Sequence, residues 1–278
     1  VMLTGRAAAL LLVARPNVAT LTTLLLDSAV AGIGLYDDWQ KISNRRNEGL
    51  SVRYKFLLLS LTVLLADVMA LYYVGITQNV IFPGFDQNLV LGPGWIGVAL
   101  FSFLMLLVIV GTTNTVNLTD GLDGLAAGAG GIALLAYTAI AFLERQYDVA
   151  IICGAMVGAI VGFLWYNAHP AQIFMGDTGS LAIGGVLAAA AILTKTEMLL
   201  PIIGGIFVLE GLSVIVQYSV FRLSGRKRRI FKMAPLHHHF EMSGWQENQI
   251  VVRFWIIQFT FAVVGFVLYY FTLYNDAV

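Results

Sequence analysis

A polar stretch from Thr112 to Gly124 holds the side chains of this sequence that are best suited to chemistry. It contains two carboxylates, two carboxamides and four hydroxyls, and it directly follows the apolar run Trp95–Gly111. An unpaired carboxylate is too costly to face lipid, so such a segment lies in water or lines a polar cavity. Asp120 and Asp123, three residues apart, can point the same way. Taken alone, the stretch is equally a turn that caps the next helix.

Three further polar groups also lie next to apolar runs, namely Asp37 with Asp38, Asn167 with Asp177, and His237–His239. Carboxylates placed beside cations suit Mg²⁺, which proteins hold with few carboxylates together with substrate phosphates. This combination favours phosphoryl transfer. A zinc site at the triple His is weaker, because consecutive residues on one element cannot all point at one metal. Asp37 and Asp38 alone would also fit the solvated start of a loop.

The composition indicates an integral membrane protein. Hydrophobic residues make up 59% of the 278 residues and charged residues 12%, against roughly 25% charged in a soluble domain. The formal net charge is zero, which argues against nucleic acid as a partner. The single cysteine, Cys153, excludes a disulfide within the chain. We expect one integral-membrane catalytic domain over residues 1–278.

Apolar runs of membrane-spanning length predict an all-α polytopic fold, a bundle of about eight helices. The predicted spans are Val18–Tyr36, Phe56–Ile76, Trp95–Gly111, Leu125–Phe142, Val149–Tyr166, Leu181–Leu193, Leu199–Phe221 and Val251–Leu273. Turn residues within Phe82–Gly94 predict a small hairpin on the outer face. Val1–Ala14 is apolar but too short to span, and we expect the N-terminus to be truncated or incomplete.

The distribution of basic residues predicts the orientation. Twelve of the sixteen Lys and Arg residues lie in the connections 37–55 and 222–253, which the positive-inside rule places in the cytoplasm. Because spans alternate in direction, the connections 112–124 and 167–180 must then also be cytoplasmic. All four polar groups are therefore expected at one membrane face, where they would form a single site.

Four segments carry a resemblance to a known family. They are Gly34-Leu-Tyr-Asp-Asp38 with Lys41, Asn117-Leu-Thr-Asp-Gly-Leu-Asp-Gly-Leu-Ala126, Asn167 with Phe174-Met-Gly-Asp-Thr-Gly-Ser180, and Ala234-Pro-Leu-His-His-His-Phe-Glu241. In these the chain closely resembles the phospho-N-acetylmuramoyl-pentapeptide transferases, the MraY family, within the polyprenyl-phosphate N-acetylhexosamine-1-phosphate transferases. The triple His resembles this branch more than the GlcNAc-1-phosphate transferases. The family's Gly-Thr-Pro-Thr-Met-Gly-Gly motif, in its second span, is absent, and so a nearby nucleotide-binding lysine is not assignable.

The resemblance implies a ten-span enzyme of the bacterial inner membrane whose site faces the cytoplasm. It implies transfer of phospho-MurNAc-pentapeptide from UDP-MurNAc-pentapeptide to undecaprenyl phosphate, giving lipid I and UMP in peptidoglycan synthesis, with Mg²⁺ as cofactor. Membrane lipids would surround the protein, and a homodimer is implied. A related enzyme that uses UDP-GlcNAc, or an ion-coupled transporter with intramembrane carboxylates, remains the alternative.

The resemblance also implies roles for single residues. Asp177 resembles the Mg²⁺ ligand, and Asp37 and Asp38 resemble carboxylates near the lipid phosphate, one of them a base or nucleophile. His237 and His238 resemble contacts to the pyrophosphate or sugar. The expected substrate-binding residues are Lys41, Asn117, Asp120, Asp123, Asn167, Phe174 as a stacking surface for uracil, and Arg53. Direct attack by the lipid phosphate is favoured over an aspartyl-phosphate intermediate, because a phosphomonoester is largely dianionic at pH 7.

Overall fold

The structure, a computed structural model, describes residues 18–45, 49–82, 88–92 and 94–274. Most of these residues are helical. The elements in chain order are α1 (Val18–Asn44), α2 (Val52–Val68), β1 (Asn79–Ile81), β2 (Asn88–Val90), α3 (Gly94–Thr119), α4 (Leu125–Leu143), α5 (Tyr147–Asn167), α6 (Gly176–Leu193), α7 (Leu200–Ile203), α8 (Gly205–Leu223), α9 (Leu236–Glu241) and α10 (Glu247–Tyr269). Helices α2 and α10 each continue into a π-helical turn, at Met69–Val74 and Tyr270–Tyr274.

Seven helices of the described chain are long and apolar enough to cross a membrane. They are α2, α3, α4, α5, α6, α8 and α10, and they match seven of the eight predicted spans. The remaining predicted span, Val18–Tyr36, lies inside α1, a helix of 27 residues and so about 40 Å long. The polytopic all-α fold is confirmed, and the expectation about Val1–Ala14 lies outside the described residues.

Two predicted boundaries differ from the structure. The polar residues Thr112–Thr119, predicted as part of a loop, form the last two turns of α3. Several of their side chains bond back to backbone carbonyls one turn earlier, as when Thr119 Oγ1 donates to the Thr115 carbonyl at 2.7 Å, and so polarity does not end the helix. The run Leu199–Phe221 is not one helix, because it breaks at Gly204 between α7 and α8.

Helix α6 lies at the centre of the bundle and packs against α1, α3, α4 and α5. It is buried without interruption from Gly179 to Ile192. Small residues allow this packing: a Cβ on Gly184 would overlap the backbone of Thr113 in α3. The N-terminal turn of α6, which carries Asp177, is therefore held rigidly where several helices end.

The predicted small hairpin is confirmed as an antiparallel pair in which β1 Val80 lies opposite β2 Leu89. The connecting residues 83–87 lie outside the described residues. Lys195, which follows α6, donates from Nζ to the Thr77 carbonyl, just before β1, at 2.9 Å. The connections before β1 and after α6 therefore meet at one end of the bundle, as the alternation of spans requires.

Candidate active site

Three aspartates from two helices meet at the other end of the bundle. Asp37 and Asp38 lie near the end of α1, and Asp177 lies in the first turn of α6. Carboxylate oxygens of all three lie within 4.8 Å of one another. Carboxylates this close repel one another unless cations neutralise them. The structure thus brings together residues that are 139 and 140 positions apart in the chain.

A glycine explains how the two helices approach so closely. A Cβ on Gly34 would overlap the backbone carbonyl of Asp177, whereas a Cβ on Gly32, half a turn earlier, would meet nothing within 4 Å. A second glycine, Gly49, lies against the carboxylate of Asp37 from the connection between α1 and α2. The spacing Gly34-x-x-Asp37-Asp38 therefore sets the carboxylates beside α6.

Asp38 uses both of its oxygens to cap α6. Oδ1 accepts a hydrogen bond from the Asp177 backbone N–H at 3.1 Å. Oδ2 accepts from the backbone N–H and the hydroxyl of Thr178 at 2.9 and 2.6 Å. The first amides of a helix have no partner within that helix, and a carboxylate there also interacts favourably with the helix dipole. Asp38 therefore positions Asp177 within the cluster.

Asp37 and Asp177 are paired with two lysines. Asp37 is buried and accepts from the Leu50 backbone N–H at 2.7 Å through Oδ1. Lys41 Nζ lies 2.6 Å from Asp37 Oδ2 and 3.3 Å from Asp177 Oδ2. Lys55 Nζ lies 2.7 Å from the same Asp177 oxygen. Three carboxylates thus face two ammonium groups.

Lys55 was not named from the sequence, whereas Arg53 was. Arg53 is exposed on α2, and the structure gives it no ion pair within the described chain. Lys55 lies on the buried face of α2, in line with Leu59, Val63 and Ala66. That helical spacing was readable from the sequence, because residues three or four apart share a face.

The end of α3 contributes Asn117 and leads into Asp120. Asn117 Nδ2 donates to Asp177 Oδ1 and to Ser180 Oγ, both at 2.9 Å, which fixes the second oxygen of Asp177. Burial, and then the negative charges of Asp177 and Asp38, raise the pKa of Asp120 to about 8. Asp120 therefore lies within electrostatic reach of the cluster.

Asp123 bonds to the connection between α5 and α6, whereas Asp120 lies near Asp177 and Asp38. Asp123 Oδ2 accepts from the Ala171 backbone N–H at 2.9 Å and lies 3.2 Å from His169 Nδ1. Glu247, at the start of α10, lies 3.2 Å from that same His169 nitrogen and accepts from the Asp123 backbone N–H at 2.8 Å. The divergence arises because residues 120–124 form a turn rather than a helix. His169 and Glu247 were not singled out in the sequence.

Asn167 braces the connection between α5 and α6. Its Oδ1 accepts from the Gly124 backbone N–H at 3.0 Å, and its Nδ2 donates to the Ile173 carbonyl at 2.9 Å. Both ends of the carboxamide are thereby engaged. Phe174, the next residue along this connection, has 79% of its surface exposed, and so its ring is available to stack on a planar ligand.

The three consecutive histidines on α9 have three different environments. His237 is fully buried and its Nδ1 lies 3.2 Å from Glu210 Oε2. His238 Nδ1 lies 2.9 Å from Glu241 Oε2. His239 Nδ1 accepts from the Lys232 backbone N–H at 3.1 Å. The rings do not converge on one point, which agrees with the weak sequence case for zinc.

A cavity of about 680 Å³ opens beside the aspartate cluster, and Asp37, Lys41, Lys55, Asn117 and Asp177 line it together with apolar residues such as Phe56. An apolar cavity of about 340 Å³ lies between α3, α7 and α8. The two cavities share four lining residues, Gly111, Thr115, Gly211 and Ile215. A cavity lined by charged residues therefore adjoins an apolar cavity that extends along α3 and α8.

Comparison with known proteins identifies the family. Residues 20–195 match the family model described as Glycosyl transferase family 4. The chain is 74% identical over 275 residues to a phospho-N-acetylmuramoyl-pentapeptide-transferase of Rubrobacter xylanophilus, covering 99% of this chain and 83% of that protein. The chain belongs to the phospho-N-acetylmuramoyl-pentapeptide-transferase family. Proteins of the same name from Geobacillus kaustophilus and Pelagibacter ubique are 47% and 43% identical over 256 and 265 residues, covering 90% and 87% of this chain and 76% and 70% of theirs.

In this member of the transferase family, most predicted site residues lie in one of three groups. Asp37, Asp38, Lys41, Asn117 and Asp177 form the charged cluster, with Asp120 close by. Asp123 and Asn167 join the turn 120–124 to the connection before α6. His237 lies against Gly121 in that same turn, which links α9 to the other groups. His238 follows His237 on α9 and pairs with Glu241. Phe174 and Arg53 are exposed and make none of these contacts.

Proposed function

We propose that this protein transfers phospho-MurNAc-pentapeptide from UDP-MurNAc-pentapeptide to undecaprenyl phosphate, releasing UMP and forming lipid I for peptidoglycan synthesis. Family membership supports this reaction. The observation that supports it most directly is that the cavity beside the aspartate cluster adjoins the apolar cavity along α3 and α8. A polyprenyl phosphate has a phosphate head and a long apolar chain. The head suits the cavity with Lys41 and Lys55, and the chain suits the cavity between α3 and α8.

We propose Mg²⁺ as the cofactor, with Asp177 as its ligand and Asp37 beside it. The carboxylate oxygens of this cluster are hard donors within 4.8 Å of one another, which fits a cation that prefers oxygen and keeps places for substrate phosphates. When bound, Mg²⁺ would neutralise charge on the diphosphate. Asn117 orients the second oxygen of Asp177, and Asp38 holds the turn that carries it.

We favour direct attack by the lipid phosphate, without a covalent intermediate on the enzyme. The second pKa of this phosphate is about 6, so the attacking oxygen is already deprotonated at pH 7. That oxygen attacks the sugar-linked phosphorus, and the bond to the UMP oxygen breaks. Asp37 is buried and held by contacts with Leu50 and Lys41. From this position it would orient the lipid phosphate for attack. Trapping a phospho-sugar on Asp37 without lipid acceptor would establish the covalent route instead.

The nucleotide would lie toward the turn 120–124 and Phe174. Asp120 and Asp123 offer acceptors for a uridine, and Phe174 offers an exposed ring for the base. His237 and His238 would contact the pyrophosphate or the sugar. Asn167 would act on this part of the site through the two connections that it braces.

The enzyme would work from the cytoplasmic side of the bacterial inner membrane. The predicted cytoplasmic connections carry twelve of the sixteen basic residues, and the aspartate cluster lies at their end of the bundle. Outward-facing residues such as Trp165, with 82% of its surface exposed, suit a lipid surface. We also propose a homodimer that forms through lipid-facing spans.

A transfer assay tests the proposal. Purified protein is incubated with radiolabelled UDP-MurNAc-pentapeptide or UDP-GlcNAc and undecaprenyl phosphate, with Mg²⁺ or with a chelator. We expect a labelled lipid product and UMP from the MurNAc-pentapeptide nucleotide with Mg²⁺ only. Transfer from UDP-GlcNAc instead would identify the sister activity. No product from either nucleotide would overturn the enzyme proposal in favour of a transporter.

A further inference from the structure

A buried carboxylate in α8 lies behind the triple-His helix. Glu210 is fully buried, and both of its oxygens point at the first turn of α9. Oε2 accepts from the Leu236 backbone N–H at 2.7 Å, and Oε1 accepts from the His237 backbone N–H at 3.1 Å. One carboxylate thus satisfies two helix N-terminal amides that have no partner inside a helix of six residues.

The same carboxylate contacts the imidazole of His237. Nδ1 lies 3.2 Å from Glu210 Oε2, at ion-pair distance although not aligned as a hydrogen bond. The contact holds one edge of the ring against α8. The other edge, with Nε2, is turned toward Gly121, where an added Cβ would overlap that nitrogen.

His237 Nε2 is the unexplained atom of this arrangement. The ring is fully buried, and Nε2 has no hydrogen-bond partner within the described chain. Buried polar atoms are nearly always hydrogen-bonded, and an exception calls for a ligand, water or functional explanation. Nε2 faces the turn that carries Asp120, beside the proposed substrate site. Glu210 therefore contacts one edge of the ring, and the Nε2 edge packs against Gly121 without a hydrogen-bond partner in the described chain.

We infer that Glu210 is a positioning residue for the transfer reaction, acting by fixing the backbone and ring of His237 so that Nε2 faces the Gly121 side of the site. The inference rests on the proposed function, in which His237 contacts the pyrophosphate or sugar. A carboxylate that orients a functional histidine from behind is a recurrent arrangement, and its removal costs about 10- to 100-fold in metal sites.

Glutamine is the informative substitution because it keeps the size of the side chain. Its single acceptor oxygen serves one backbone N–H and leaves the other without a partner. Its NH₂ group would point donors at an amide or at Nδ1. We expect Glu210→Gln to lower kcat about 10- to 100-fold, with a smaller change in KM for the lipid acceptor, whose proposed cavities are lined by α8 residues other than Glu210.

A double-mutant cycle separates positioning from simple helix capping. The transfer assay is run on wild type, Glu210→Gln, His237→Asn and the double variant. If Glu210 acts through His237, Glu210→Gln changes kcat less than twofold in the His237→Asn background, because coupled residues are non-additive. The full loss in both backgrounds, or no loss in wild type, would overturn the inference. Absence of transfer by wild type would instead remove the proposed function.

Two further variants guard against a folding artefact. Asp67→Asn is the matched control, since Asp67 is also a buried carboxylate in a span but accepts from Ser102, away from α9. It should leave kcat unchanged. Gly121→Ala disturbs the His237 ring from the other side with the α9 cap intact. It should lower kcat and be non-additive with Glu210→Gln, and an unchanged kcat in Gly121→Ala would count against the role of Nε2.

Discussion

Lys55 and Arg53 are two residues apart on α2 and differ in what they reach. Lys55 Nζ lies 2.7 Å from Asp177, whereas Arg53 is exposed. We expect Lys55→Ala to lower transfer at least about tenfold, since loss of one charge-assisted contact is worth about 1.5–3 kcal/mol. Arg53→Ala should lower it less than twofold. Initial rates at saturating nucleotide measure the difference, and a larger loss in Arg53→Ala would favour Arg53, the residue named from the sequence, over Lys55.

The pKa of Asp120 gives a pH dependence with a definite sign. Burial and the charges of Asp177 and Asp38 raise that pKa to about 8, from an ordinary value of 3.8. The folded chain then binds the proton more tightly than the unfolded chain, so the contribution to stability falls as pH rises through this window. The slope is at most about 1.4 kcal/mol per pH unit.

Melting temperatures between pH 6 and pH 8, without divalent ions, measure this slope. We expect the wild-type melting temperature to fall with rising pH across the range. Asp120→Asn, which stays neutral, should flatten part of that fall. Equal slopes in the two proteins would show that Asp120 is not the group responsible.

The sequence predicted the roles of single residues where the residue type is typical of one kind of chemistry. The sequence named Asp37, Asp177, Lys41 and Asn117, and the structure brings them to one cavity. It did not distinguish Asp38 from Asp37, because a sequence does not show that Asp38 caps a helix 139 residues away. His169 and Glu247 make contacts between distant segments, which no local pattern reports.

At the scale of elements, the packing of α1 on α6 sets the geometry of the site. Gly34 allows that packing, since its Cβ would overlap the Asp177 carbonyl, and backbone cannot move aside as a side chain can. We expect Gly34→Ala to cost about 1–3 kcal/mol of stability, as overpacked positions do, and to lower transfer. Gly32→Ala is the matched control on the same helix, with open space around its Cβ.

Thermal unfolding in detergent, followed by intrinsic tryptophan fluorescence, measures both variants. Gly32→Ala should be neutral or slightly stabilising, because alanine favours a helix over glycine. A Gly34→Ala protein with wild-type melting temperature and activity would mean that α1 and α6 do not need this close approach.

The apolar runs of the sequence predict which segments form helices. They do not predict where several of these helices end. Seven spans appear where the sequence placed them, and length and hydropathy were enough to find them. The end of α3 was missed because Thr113, Thr115 and Thr119 bond to their own helix. The break at Gly204 was missed because an apolar run does not reveal where tertiary packing interrupts it.

For the whole molecule, the four predicted cytoplasmic connections converge at one end and the Thr77–Lys195 contact lies at the other. Labelling tests which end faces the cytoplasm. In a Cys153→Ala background, which removes the single native cysteine, Lys227→Cys and Arg145→Cys each provide one exposed thiol. A membrane-impermeant maleimide should label Arg145→Cys in intact spheroplasts and Lys227→Cys only after lysis. The reverse pattern would invert the orientation.

Binding of a divalent cation and a diphosphate at Asp177, with Asp37 beside it, is the central feature of the proposed site. Mn²⁺, a spectroscopic substitute for Mg²⁺, is titrated into the purified protein with UDP-MurNAc-pentapeptide, and free Mn²⁺ is followed by electron paramagnetic resonance. We expect about one bound ion per chain in wild type, with much weaker binding in Asp177→Asn and an unchanged melting temperature. Wild-type Mn²⁺ binding in Asp177→Asn would contradict the assignment of Asp177 as the metal ligand.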